Sequence, residues 1–144
     1  MFEALKKYAE FRGRSTRKEY WLFVLFYFLV VFWIVILTWI VGLSMGIPRY
    51  NIENLSTVLS FIFELIILIP SIAVDFRRLH DFDASGWWAI VIFAFWIIGL
   101  VSYLLGSVLF AAFLWIITII AWIAIGLVHG TEGPNRYGDD PKMG

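Results

Sequence analysis

The sequence predicts an all-α polytopic membrane protein: a bundle of four transmembrane helices, both termini cytoplasmic, with a short interfacial helix ahead of the first crossing. Three observations lead there. Hydrophobic residues make up 62% of the 144 residues, against about 45–50% in soluble globular domains. Four apolar stretches are long enough to cross a hydrocarbon core of about 30 Å, which takes about 20 helical residues. Ten of the eleven lysines and arginines fall on one side of the membrane if the spans number four: six before the first, two in the second loop and two in the tail, with only Arg49 opposite. By the positive-inside rule that side is cytoplasmic.

At the N-terminus, "MFEALKKYAEF" sets Phe2, Leu5, Tyr8 and Phe11 three apart with charges between them, the pattern of a helix lying apolar side down in the interface. The first span, about 20–43, exceeds a signal-peptide core and lacks a small-residue cleavage site, so it reads as a retained anchor. Thr16-Arg17-Lys18-Glu19 ahead of it is a capping-box pattern, in which hydroxyl and carboxylate satisfy the first orphan amides. The second span, about 55–74, carries one charge, Glu64. The apolar block from Trp87 to Val128 is twice the length of one crossing, and Gly106-Ser107 divides it into spans of about 87–105 and 108–128. The alternative break, at Gly99, would make residues 99–107 re-entrant and put irregular backbone at membrane depth. His129 and Gly130 read as the end of the fourth span, glycine being the common left-handed cap. The tail, "GTEGPNRYGDDP", reads as successive turns. The whole chain is one membrane domain.

The polar residues are few. Glu64 lies about 15 Å into its span, where an ionised carboxylate is costly and a functional or interhelical role is expected. At 100° per residue Ser71 and Asp75 share its face, with Arg78 about 40° away, so the four form a polar seam. Pro70 within it removes one hydrogen bond and frees a carbonyl one turn earlier. In the loop "DFRRLHDFDASGWW", 75 to 88, helical spacing pairs Arg77 with Asp81, Asp75 with Arg78 and Arg78 with Asp81. Ser85 reads as a cap, and Trp87 and Trp88 as a headgroup-level aromatic belt. Arg77, Arg78 and the N-terminal arginines are equally suited to lipid phosphates.

No cysteine is present and net charge is zero. Disulfides, thiolate chemistry and a nucleic-acid footprint are therefore not expected. His80, Asp81 and Asp83 lack a metal-ligand spacing, and no nucleophile elbow, phosphate loop, dinucleotide fingerprint or zinc-protease string occurs. No cofactor or metal is expected.

Three stretches carry a resemblance: "FRGRSTRKEYW" at 11–21, "RRLHDFDASGWW" at 77–88 and "GPNRYGDDP" at 133–141. In order and spacing they are similar to the signatures of the domain of unknown function 805 family, the YhaH-like bacterial inner-membrane proteins. The resemblance covers nearly the whole chain. It implies a bacterial inner-membrane location and a shared pattern of Gly13, Arg14, Arg17, Tyr20, Trp21, Arg77, Arg78, His80, Asp81, Gly86, Trp87, Asn135, Arg136, Tyr137 and Gly138. It implies no activity. Asp83 stands where the family pattern carries glycine, which points to a backbone position with positive φ.

Together these readings predict a non-enzymatic bundle whose cytoplasmic rim holds the helices in register and docks anionic lipid, a partner protein or a second copy. A small proton-coupled transporter using Glu64 is the alternative. An enzyme acting on lipid headgroups through His80 and Asp81 has the least behind it.

Overall fold

The computed structural model describes residues 7–142. The described residues contain four helices: α1 (Arg17–Ser44), α2 (Arg49–Asp81), α3 (Trp87–Leu104) and α4 (Val108–Leu127). All four are long and apolar enough to cross a membrane. The only strand-like pairing among the described residues is a single bridge between Asn135 and Gly138 in the tail. Residues 1–6 of the expected interfacial helix lie outside the described part, and residues 7–9 form a turn.

Thr16 caps α1 as expected, its hydroxyl accepting from the Glu19 amide at 3.1 Å. The second half of the capping box is not made. Glu19 turns its carboxylate to Arg77 at 3.5 Å instead, a charged partner outcompeting a backbone amide. The first hairpin closes at Gly46, whose φ of +69° only glycine adopts freely, and Pro48 precedes the first residue of α2.

The second helix is longer than its apolar stretch. Its 33 residues span about 50 Å against a hydrocarbon core of about 30 Å, so both ends overhang. Pro70 sits inside it without ending it. The carbonyl that the proline leaves without a donor is that of Ile66, and the Tyr8 hydroxyl donates to it. That contact helps lay the N-terminal segment along α2.

The second hairpin turns at Gly106, φ +84°, while Gly99 lies inside α3; residues 99–107 are therefore a helix end and a turn. Gly99 is buried because the Trp115 indole lies against it, where any side chain would collide. The cap of α3 falls on Gly86, although Ser85 Oγ accepts weakly from the Trp87 amide at 3.4 Å. The fourth helix ends at Leu127, and Gly130 lacks the positive φ expected of a left-handed cap.

Contacts are densest within the hairpins α1–α2 and α3–α4. Between them runs one apolar core of Tyr20, Phe23, Ile67, Val74, Leu79, Ala89 and Ile125. Every member lies in the half of the bundle where α1 and α3 begin and α2 and α4 end. Elsewhere most large apolar side chains face outward, as lipid-facing surfaces do, with Ile52 and Leu114 the buried exceptions.

Candidate functional site

The same end of the bundle carries a polar rim. The last turns of α2 bury Arg77, Arg78 and Asp81, which would be prohibitive without partners. Asp81 is the hub. Its carboxylate receives Arg14 Nε at 3.1 Å and Arg78 Nη1 at 2.5 Å, and its carbonyl receives the Thr131 amide at 2.8 Å and Arg14 Nη2 at 3.3 Å. Two guanidiniums from different parts of the chain thus meet on one carboxylate.

The remaining donors go largely to backbone carbonyls. A helix leaves its last four carbonyls unpaired, and at the end of α4 the other two motifs supply them. The Trp21 indole donates to Gly126 O at 3.1 Å, and Arg78 donates to Val128 O. The Tyr20 hydroxyl reaches Trp122 O at 3.0 Å. Arg14 continues into the tail, donating to Thr131 O at 2.5 Å and Gly133 O at 2.6 Å. Arg77 faces the other way and holds the N-terminal segment through Lys7 O and Glu10 O. The Ser15 amide, in turn, donates to Arg77 O at 3.0 Å.

The tail folds back against the loop between α2 and α3. Tyr137 stacks on His80 with centroids 3.8 Å apart and planes 6° from parallel, and His80 Nδ1 lies 3.2 Å from Gly13 O. Asn135 donates to His80 O at 2.9 Å. Arg136 pairs with Asp83 at 3.0 Å on the surface. Asp140 accepts the Lys142 amide at 3.0 Å and the Gly133 amide at 3.1 Å; these bonds, the Lys142 one foremost, hold its carboxyl below the usual range.

Three of the expected contacts differ. Arg77 pairs with Glu19 rather than Asp81, because Asp81 already holds Arg14 and Arg78. Asp75 turns toward the Trp122 side chain instead of Arg78. Arg14, Arg77 and Arg78, expected to suit lipid phosphates, expose 6%, 1% and 0% of their surface, their guanidiniums being engaged within the protein. Arg12, Lys18, Arg136 and Lys142 are exposed cations of the termini and Arg49 of the opposite end, with Arg17 half-buried, and Trp21, Trp87 and Trp88 are exposed as well. Asp83 has the expected positive φ, 60°.

The intramembrane residues remain apart from the rim. Glu64 accepts a hydrogen bond from the Tyr27 hydroxyl at 3.4 Å, and Ser71 donates back to Ile67 O at 2.8 Å. Among the described residues no three histidine or acidic side chains converge as a metal site would require. Glu19, Thr131, Gly130 and Tyr8 carry the rim without having been singled out for it. Tyr8 had a signal: the free Ile66 carbonyl that Pro70 demands. Gly130 had none, since it is set by contact, its Cα pressing on the Asp81 carboxylate where a Cβ would overlap it.

Comparison with known proteins agrees with the three motifs. A family model described as "Protein of unknown function (DUF805)" matches residues 8–139. The chain belongs to the DUF805 family. It is 33% identical to inner membrane protein YhaH of Escherichia coli K12, over 98% of this chain and 94% of the relative. It is 34% identical to inner membrane protein YhaI of the same strain, over 97% and 92%, and 29% identical to the uncharacterized protein YiiR, over 92% and 86%. No solved structure matches it. DUF805 members thus include inner-membrane proteins, in agreement with four helices able to span.

Proposed function

We propose that this DUF805 protein is a non-enzymatic membrane scaffold whose rim clasps two helical hairpins together and presents a basic, aromatic border to anionic lipid headgroups. The observation that carries the reading is the division of labour among the cations. Arg14, Arg77 and Arg78 are buried and spent on Asp81, Glu19 and backbone carbonyls, while Arg12, Lys18, Lys142 and the surface-paired Arg136 are exposed, as are Trp21, Trp87 and Trp88. Buried guanidiniums fix geometry; exposed ones beside an interfacial indole are the chemistry that anionic lipid attracts. The charge count supports a cytoplasmic rim with both termini inside, since that leaflet is the negative one.

Both groups predicted for headgroup chemistry are engaged elsewhere. Both Asp81 oxygens are taken by guanidiniums, and His80 lies between Tyr137 and Gly13.

The test compares lipids that co-purify in mild detergent with the native chain and with Arg12, Arg17, Lys18 and Arg136 changed to glutamine. Loss of phosphatidylglycerol and cardiolipin from the variant, with an unchanged melting temperature, is expected. Retention of the native anionic-lipid content would overturn the lipid reading.

A further inference from the structure

The length of α2 extends the polar seam. Glu53, Glu64 and Asp75 are spaced eleven residues apart on one continuous helix. Eleven residues make three turns with about 20° left over, so the three carboxyls share one face at intervals of about 16 Å. Between them on that face stand Thr57 and Ser60 on one side of Glu64 and Ser71 on the other. Glu53 and Thr57 are exposed at the loop end, and Ser60, Glu64, Ser71 and Asp75 are half-buried. These polar positions form a stripe that spreads over about 33 Å of α2 and is interrupted at Ile67 and Leu68.

Glu64 sits at its middle, and among the described residues no cation pairs with it. From α1 the group facing it is Tyr27, donating at 3.4 Å and stacked on Phe63 with centroids 5.9 Å apart. Beyond Glu19, α1 has no charged residue, and α3 and α4 have no Asp, Glu, Lys, Arg or His at all. On α2 the nearest arginines are Arg78 and Arg49, fourteen and fifteen positions away, about 21 Å or more along the axis. An ionised carboxylate at this depth would have one hydroxyl and no counter-ion among the described residues, whereas the neutral acid meets no such cost. A helical side chain leans toward its N-terminal turn, which directs the Glu64 carboxyl toward Ser60.

We propose that Glu64 is a proton-binding site at mid-membrane, neutral at rest, that exchanges its proton with water along the α2 stripe. On release the carboxyl O–H bond breaks, the proton leaves to water admitted along the stripe, and the carboxylate left behind keeps the Tyr27 donor; uptake is the reverse. The ligand is a proton. Tyr27 is a positioning residue that sets how readily it leaves. The rim reading plays no part in this proposal.

Dicyclohexylcarbodiimide, an apolar reagent, tests it on the full chain in vesicles of phosphatidylethanolamine and phosphatidylglycerol. A protonated carboxyl adds across its C=N bond and rearranges to a stable N-acylurea, which peptide mass spectrometry locates. One adduct, on Glu64, is expected, its rate falling about tenfold per pH unit above the midpoint as the protonated fraction falls. Tyr27→Phe removes the hydroxyl that donates to the carboxylate and changes the labelling rate at fixed pH. Glu64→Gln abolishes the adduct and the infrared band of a protonated carboxyl. After a pH jump, that band changes several-fold more slowly in Asp75→Asn or Ser60→Ala. Absence of an adduct on folded native protein at every pH, or labelling of Glu53 and Asp75 as fast as Glu64, would overturn the site. Unchanged exchange rates in both stripe variants would overturn the route.

Discussion

The two halves of the bundle are held by different physics. At the rim end, both hairpins share an apolar core and are then tied by charge-assisted hydrogen bonds centred on Asp81. At the opposite end, the close packing is within each hairpin: Gly42 of α1 lies against Ile52 of α2, and Gly99 of α3 lies against Trp115 of α4. In lipid the hydrophobic effect does not draw helices together, so association rests on close packing and polar ties. The hairpins are therefore joined where the polar ties are, and the far half follows from hairpin closure.

The largest effect should come from breaking the hub. Asp81→Asn leaves Arg14 and Arg78, both nearly fully buried, without a counter-charge. Removing one partner of a buried ion pair costs about 3–5 kcal/mol, and the Asp81 carboxylate serves two pairs. The expected result is a large fall in detergent melting temperature, with protease cutting in the tail after Leu127. A melting temperature within a degree or two of native would mean that the rim does not hold the hairpins.

Next comes a matched pair of small residues, one in each half. Gly126→Ala puts a Cβ within 2.8 Å of the Trp21 and Tyr20 rings, between hairpins; Gly99→Ala puts one within 2.6 Å of the Trp115 indole, inside a hairpin. Overpacking of this kind costs about 1–3 kcal/mol. Both should lower stability, but only Gly126→Ala should weaken crosslinking between engineered cysteines on α1 and α4. Equal loss of that crosslink in both variants would contradict the division into a tied half and a following half.

Helix number and type were legible because they depend on bulk hydrophobicity and on local punctuation such as Gly106 and Thr16. The three motifs were legible as residues that belong together. Their wiring was not. Helical spacing offered Arg77, Arg78 and Arg14 several carboxylates, and the choice among them is made by burial: Asp81 is the acid that the Gly130 backbone, the end of α4 and the Arg14 loop all reach. Arg77, one position from Arg78, points about 100° away around the helix and so serves the N-terminal segment. Hydropathy also bounded the second span at Leu55 and Val74, because it marks where the apolar residues end and not where the helix does; the extension of the Glu64–Asp75 seam to Glu53 was hidden by the first of those boundaries.

The smaller effects probe the edges of the rim. Thr16→Ala removes the α1 cap and should cost about 1 kcal/mol, seen as a modest drop in melting temperature. Acidification tests the tail. The Asp140 carboxyl is held below its ordinary value by the Lys142 and Gly133 amides, so its contribution is present above the unfolded carboxyl pKa of about 4 and is lost as pH falls through the lower folded value. Amide exchange at Gly133 and Lys142 should speed up on acidification in the native chain and be fast at all pH in Asp140→Asn, while exchange in α2 stays slow. If α2 loosened together with the tail, the tail would be part of the hub and not its border.

The smallest effect is expected at Asp83, and there opposing terms decide the sign. Its φ of 60° costs a side-chain-bearing residue about 1–2 kcal/mol relative to glycine. Asp83→Gly relieves that, but loses the exposed pair with Arg136, worth about 0–1 kcal/mol, and adds about 0.5–1 kcal/mol of backbone entropy in the unfolded chain. The Arg136 bond to the Asp83 carbonyl survives the change, because it involves no side-chain atom of Asp83. The terms nearly cancel, so stability should stay within about 0.5 kcal/mol of native. Asp83→Val gains nothing and keeps the strain, worsened by a β-branched side chain at positive φ, and should melt clearly lower. Equal melting of the glycine and valine variants would show that this turn is loose, and that the rim is clasped by the Asp81 hub and the His80–Tyr137 stack alone.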